Sequence, residues 1–305
     1  MDLKTVNQHE RDACIHFEPQ GHFYTITRAG VSERAPVSVT SFSNPYFKQF
    51  DAYAVIDDRY HKWKSDADSK YYLVIKEILR SGGADSDAKR AIAQSWADAG
   101  YSASKAGTKM HERAELVCNG LDVEGGGDGG DEGGDAEMDM LRTWLADFQP
   151  AMQWKPWRTE WILWWEDDRI GGHILVAGTL DLLMKSDKTG EFALVDFKRT
   201  NPAPKYRGAD RNLLGPCSDS RFYPAYAASP LGDVENSKYG SYCMQLNVLS
   251  KILSERYNID VGHNMYLLQI HCDLQSAHCI TVPSLREATD SMFAIEAERR
   301  RVELS

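Results

Sequence analysis

A chain of 305 residues can form one large or two modest domains, and 42% hydrophobic with 26% charged residues is a globular composition, neither disordered nor fibrous. No apolar run approaches the roughly 18 residues needed to cross a bilayer, and the polar start MDLKTVNQHERD lacks the apolar core of a signal peptide, so an intracellular address without a membrane partner is expected. The formal charge of -10 weighs against a nucleic-acid partner, yet the charge is unevenly spread: acids crowd a glycine-rich tract near 122–136 and bases crowd 198–221.

From about Val37 to Gly100 the sequence reads as helical, with a cap in SVTSFSNPYF and apolar spacing through Tyr71, Leu73, Val74, Ile75 and Ile78. Ser81 to Ala84 break it, and Asp85 or Ser86 starts the next helix. This predicts an all-helical N-terminal extension over 1–100. A further helix is expected from Ser102 or Ser104 to Cys118, ending at Asn119 and Gly120, which suit a left-handed cap.

VEGGGDGGDEGGD is acidic and nearly free of apolar side chains, so it reads as a flexible insert at about 122–136. It follows no strand and has no Lys-Ser/Thr ending, which sets aside a phosphate-cradling loop. Helical signals resume from Ala136 to Phe148. Strands are then predicted over Thr159–Glu166, Ile174–Lys185 and Phe192–Arg199, with turns at Gly171-Gly172 and Lys188–Gly190, which implies an antiparallel meander. Beyond a basic stretch, a helix is expected through Tyr242, Gln245, Leu249 and Leu253, then strands at Met265–His271 and Cys279–Val282, and a last helix at Ser284–Val302. Residues 101–305 therefore form one α/β core, an α+β mixed sheet flanked by helices.

The most informative stretch is AGTLDLLMKSDKTGEFALVDFKRT, from Ala177 to Thr200. Alternation puts Phe192, Leu194, Asp196 and Lys198 on one strand face and Ala193, Val195 and Phe197 on the other. Asp181 on the neighbouring strand adds a second carboxylate. Unpaired buried ions are costly, so the cluster reads as a metal site, a salt bridge or a catalytic centre. The triplet Asp-x-Lys alone carries little, since Asp68-Ser69-Lys70 and Asp87-Ala88-Lys89 also fit it. Six cysteines without a CxxC pair argue against a disulfide framework, a zinc knuckle and an iron–sulfur cluster; they read as reduced, mostly buried thiols.

In order, GTKMH (Gly107 to His111), GTLD (Gly178 to Asp181), DFK (Asp196 to Lys198) and Gln245 in YCMQLNVL resemble the PD-(D/E)XK nuclease superfamily, specifically its RecB-like and lambda-exonuclease-like branch. The resemblance covers roughly Ser102 to Val282. No proline precedes the first carboxylate, Arg199 stands where threonine is frequent, and Leu249 stands where an aromatic often follows the glutamine.

What this resemblance implies is a restriction-endonuclease-like core that hydrolyses DNA phosphodiesters with one or two Mg2+ or Mn2+ ions, as an exonuclease or end-processing enzyme. His111, Asp181, Asp196 and the Phe197 carbonyl are the implied metal ligands. Lys198 holds or deprotonates the attacking water, its pKa lowered by a nearby metal, Gln245 positions it, and Glu115, one turn beyond His111, binds a second metal or orients His111. Glu160, at the head of the first strand, stands behind the ligands at most. Arg199, Lys205, Arg207 and Arg211 are the candidate phosphate contacts, and the N-terminal helices a candidate surface for a protein partner.

Each residue also has a plainer reading: Asp196 and Lys198 as a solvated ion pair, His111 as a packed histidine, Glu115 and Gln245 as surface groups, the tryptophans as core rather than a base-stacking platform. Two other functions stay open at this point: an RNA endonuclease of cap-snatching type using the same site, and a non-catalytic nucleic-acid-binding or assembly protein with a vestigial site.

Overall fold

The computed structural model describes residues 2–121, 132–200, 226–232 and 234–305, and falls into two compact units, 1–48 with 110–305 and 49–109. The architecture is mixed α+β, with a five-stranded mixed sheet and a three-stranded antiparallel sheet. Among the described residues no helix is long and apolar enough to cross a membrane.

The first unit opens with α1 (Leu3–Val6) and the small sheet β1 (Ile15–Glu18), β2 (Phe23–Arg28) and β3 (Val31–Arg34). This corrects the all-helical reading of 1–100. Ala29 and Gly30 close the β2–β3 hairpin at φ +47° and +79°, the pair of positive values that suits the right-handed twist of a two-residue turn. Tyr24 and Ile26 point into the core while their neighbours do not, the period of two that short strands leave. A short helix, α2 (Val39–Ser43), follows with Ser38 as its cap, accepting from the Ser41 N–H.

The second unit contains α3 (Ala52–Ser65), α4 (Tyr72–Arg80) and the start of α5 (Asp85–Cys118), around a small core of Ile56, Tyr60, Ile75, Ala88 and Ile92. The expected break at 81–84 lies between α4 and α5. The expected second start at Ser102 does not occur, since α5 runs unbroken through Gly100 and Gly107. Each glycine costs a helix about 1 kcal/mol relative to alanine, and the surrounding Ala97, Ala99, Ala103 and Ala106 offset it. The helix ends as expected: Gly120 is left-handed at φ +69°, and the Leu121 N–H reaches back to the Leu116 carbonyl at 3.0 Å.

The first unit resumes with α6 (Glu132–Asp147), which begins inside the glycine-rich tract, so the expected loop is helical from 132; residues 122–131 lie outside those described. The large sheet follows: β4 (Trp154–Asp167), β5 (His173–Ser186), β6 (Phe192–Arg199), then α7 (Lys238–Arg256), β7 (Met265–Ile270), β8 (His278–Thr281) and α8 (Arg286–Leu304). The strand order is β4-β5-β6-β7-β8, antiparallel throughout except for the parallel pair β6 and β7, whose crossover contains α7.

Both sheet faces are covered. One packs Leu180 and Leu194 against Met244, Leu249 and Ile252 of α7 and Phe293 of α8; the other packs Leu182, Val195 and Phe197 against Met110, Ala114 and Cys118 of α5 and Leu141 of α6. Each such fully buried side chain contributes about 1.5–3 kcal/mol, and the two cores hold β6 rigid between them. The expected alternation along β6 is observed. Trp154, Trp161, Trp164 and Trp165 are all buried, which makes them core and not a stacking platform. Among the described cysteines, Cys118 and Cys243 are buried, Cys14 and Cys272 half-buried and Cys279 exposed, fewer buried than expected; all are free thiols.

A candidate metal centre on three adjacent strands

Three carboxylates occupy one level of the sheet. Thr159 pairs with Leu182 and Trp161 with Leu180, so Glu160 on β4 faces Asp181 on β5. Leu182 pairs with Val195, and one further step of that register sets Asp181 beside Asp196 on β6. Glu160 departs from the extended strand, with φ at +41°, a strained value for a residue with a side chain and one that clusters at functional sites.

His111 comes from the last turns of α5. Met110, Ala114 and Cys118 recur every four residues and bury one helix face, which fixes the rotation that brings His111 beside the carboxylates. Its Nδ1 lies 3.5 Å from Asp181 Oδ1 and 3.8 Å from Glu160 Oε1, and its ring meets the edge of Phe197 at 6.0 Å between centroids. The ligating atoms of His111, Glu160 and Asp181 all lie within 4.8 Å of one another. Asp181 Oδ2 accepts the Phe197 backbone N–H at 2.6 Å, which locks the carboxylate in place.

Asp196 Oδ2 and Lys198 Nζ form an ion pair at 2.6 Å, and Lys198 also donates to Gln245 Oε1 at 3.3 Å. Asp196 is buried, and the Lys198 ammonium is the partner of its Oδ2. The Lys198 ammonium also lies 4.3 Å from the centre of the Tyr242 ring.

The electrostatics follow from crowding. Burial pushes the His111 imidazole down, but Asp181 above all, with Glu160 and Asp196, outweighs it and lifts its pKa to about 11. Burial raises the Asp181 carboxyl, and His111, Lys198 and the Phe197 N–H together bring it below the usual range. For Asp196 burial and the Asp181 charge prevail over Lys198, raising it to about 6. Glu160 is raised, mainly by burial. Burial lowers the Lys198 ammonium, but Asp196 and Asp181 more than compensate, so in the metal-free site its pKa is raised. The carboxylate oxygens of Glu160 and Asp181 with an imidazole nitrogen, and the Asp196 carboxylate beside them, are a donor set that fits a hard divalent cation such as Mg2+ or Mn2+.

The structure thus brings together His111, Asp181, Asp196, Lys198 and Gln245. Glu115 falls outside the close group of His111, Glu160 and Asp181, although its charge reaches Glu160 and helps to raise it; His111 is oriented by Asp181 and Glu160. Arg199 is not a free base: its Nε is tied to the buried Glu137 of α6 at 2.9 Å. Lys205, Arg207 and Arg211 lie outside the described residues. Sequence reasoning set Glu160 too far back and missed Tyr242. Glu160 was findable only from the register of β4 on β5, and Tyr242 only from its position three residues before Gln245 on one helix face. Gly178 in GTLD has a packing reason, since a Cβ there would lie 2.5 Å from Val39 Cγ2.

No family model matches the chain, and no curated protein matches it. Among solved structures, one described as "Crystal structure of SSO0001" aligns with 14% identity and a TM-score of 0.27 over 56% of this chain and 59% of that one. A likeness of that size carries no structural argument.

Proposed function

We propose that the chain is a metal-dependent nuclease with a restriction-endonuclease-like core, hydrolysing DNA phosphodiester bonds as an exonuclease or end-processing enzyme. The observation that carries the reading is the convergence of His111, Glu160, Asp181 and Asp196, from one helix and three strands, beside the Lys198 ammonium. The order of the motifs along the chain, which resembles the RecB-like and lambda-exonuclease-like branch, supports the same assignment. Asp181, Asp196, Glu160 and His111 Nδ1 would hold Mg2+ or Mn2+, with the Phe197 carbonyl, between the catalytic pair on β6, as a further ligand. A bound ion of this kind would lower the pKa of a coordinated water and stabilise charge on the departing oxygen.

Lys198 then acts as an ammonium. Its N–H groups orient the attacking water and neutralise a phosphate oxygen, while Gln245, which is neutral, holds the ammonium in place and moves no proton. The imidazole ligand favours manganese over magnesium and is compatible with the RNA endonuclease reading, which single-stranded RNA cleavage without DNA cleavage would select.

The test is manganese-dependent cleavage of labelled linear duplex, single strand, RNA and closed circle, with Asp181→Ala and Lys198→Met beside the parent protein. Methionine is chosen because it fills the lysine channel. We expect cutting of linear DNA that ends in both variants while each remains folded. Full activity in either variant would overturn the assignment.

A further inference from the structure

We infer that Tyr242 is a positioning residue for Lys198: its aromatic face is the platform that fixes where the ammonium points. This rests on the reading of Lys198 as the group that meets the phosphate. The ammonium lies 4.3 Å from the Tyr242 ring centre, 2.6 Å from Asp196 Oδ2 and 3.3 Å from Gln245 Oε1. A lysine side chain is a flexible stem with three rotatable donors, and one carboxylate and one amide leave it free to pivot about them. A ring face adds a third restraint of a different kind, attraction to the negative quadrupole, which restrains the ammonium without consuming any of its N–H donors. A donor is therefore left for the water or the phosphate.

The platform is itself fixed. Tyr242 and Gln245 stand three apart on α7, so both reach Lys198 from one helix face. Ser237 caps that helix by accepting the Gly240 N–H at 3.0 Å. Gly240 lies so close to Glu235 that a Cβ would come within 2.0 Å of its carbonyl oxygen, which pins the first turn two residues before Tyr242. The next turn is anchored by the buried Cys243, Met244 and Leu246. A ring on so constrained a turn is preorganised, and preorganised contacts act without reorganising during the reaction.

Tyr242 also packs against the core, so the test must separate packing from the ring face. Tyr242→Phe keeps both, Tyr242→Leu keeps bulk alone, and a fluorinated-phenylalanine series at position 242 keeps the shape while draining the ring's negative face. On linear DNA with Mn2+ we expect Phe to retain activity, Leu to lose about tenfold in kcat with KM little changed, and kcat to fall stepwise with fluorination. Equal kcat across the fluorinated series, or full activity in Tyr242→Leu, would overturn the inference. A readout independent of turnover is the Lys198 ε-methylene resonance in 13C-lysine protein, identified by its loss in Lys198→Met. Ring current should shift it upfield in the parent and in Tyr242→Phe, and release it in Tyr242→Leu. An unmoved resonance in Tyr242→Leu would also overturn the inference. If the released resonance is seen but the parent cuts no nucleic acid, the failure belongs to the nuclease reading and the lysine contact stands.

Discussion

Replacing Glu160 by asparagine should leave the protein as stable as before, or slightly more so, while removing its response to metal. Glu160 holds φ at +41°, and a non-glycine residue in that region costs of order 1–3 kcal/mol, less for asparagine than for glutamate. Its contact with His111 at 3.8 Å joins side chains that are 29% and 33% exposed, so its loss costs below about 1 kcal/mol. Removing the carboxylate also relieves repulsion with Asp181. The terms leave a net change between zero and about 1 kcal/mol in favour of the variant, or up to roughly 4 °C in Tm for a domain of this size. Metal at a hundredfold excess over Kd stabilises the folded state by about 2.7 kcal/mol, so Mn2+ should raise the parent's Tm well beyond that difference. The assay is thermal unfolding with and without Mn2+, and Glu160→Gln serves as the control that removes the charge but keeps the strain. A variant Tm several degrees below the parent without metal, or a full manganese response in Glu160→Asn, would refute the argument.

Two glycines of the motifs should respond in opposite directions. Gly178→Ala drives a Cβ to 2.5 Å from Val39 and should cost about 1–3 kcal/mol, whereas Gly107→Ala meets open space inside a helix and should gain up to about 1 kcal/mol; urea midpoints of the two variants check both signs. Acid should unfold the protein partly through Asp12, whose Oδ2 pairs with the buried Arg158 at 2.8 Å and whose Oδ1 accepts Trp161 Nε1 at 2.7 Å. Burial raises this carboxyl, but Arg158, the His9 N–H and Trp161 together hold it below the usual range. A depressed folded pKa gives stability that is present above the unfolded value of about 3.9 and lost as pH falls through the folded one, so denaturant midpoints should drop below about pH 4. Asp12→Asn should flatten that limb, and an unchanged acid limb in the variant would exclude Asp12 as its source.

Much of this arrangement was legible because it depends on short-range periodicity. The alternation of Ala193, Val195 and Phe197 against Leu194, Asp196 and Lys198 is a property of one strand, and the Ser38 and Gly120 caps are properties of single helix ends. What was not legible depends on partners distant in sequence. Arg199 looks like a free base until Glu137, more than sixty residues earlier, arrives on α6 to bind it. The strands of 15–34 are short, and at least half the residues of each are polar, so their apolar signal is one to three side chains each. Glu160 needed the register of β4 on β5, which shifts between Pro156 and Arg158 and again between Trp165 and Glu166. A one-residue slip would have turned it to the opposite face, and no local propensity reveals where a bulge falls.

That dependence on register also explains why the site sits where β5 and β6 part. Their pairing is recorded from Lys185↔Phe192 to Leu182↔Val195 and goes no further, although both strands continue. One residue past that point Asp181 and Asp196 stand side by side, and the carboxylate of Asp181, not a backbone carbonyl of β5, takes the Phe197 N–H. A continuous ladder would have satisfied that amide and left Asp181 with no fixed orientation. Opening it transfers the hydrogen bond to a side chain that can also face a cation, while β6 keeps its position through its parallel pairing with β7, from Leu194↔Met265 to Arg199↔Ile270. The rigidity of the candidate centre and the freedom of the Asp181 carboxylate to face a cation therefore come from opposite edges of one strand.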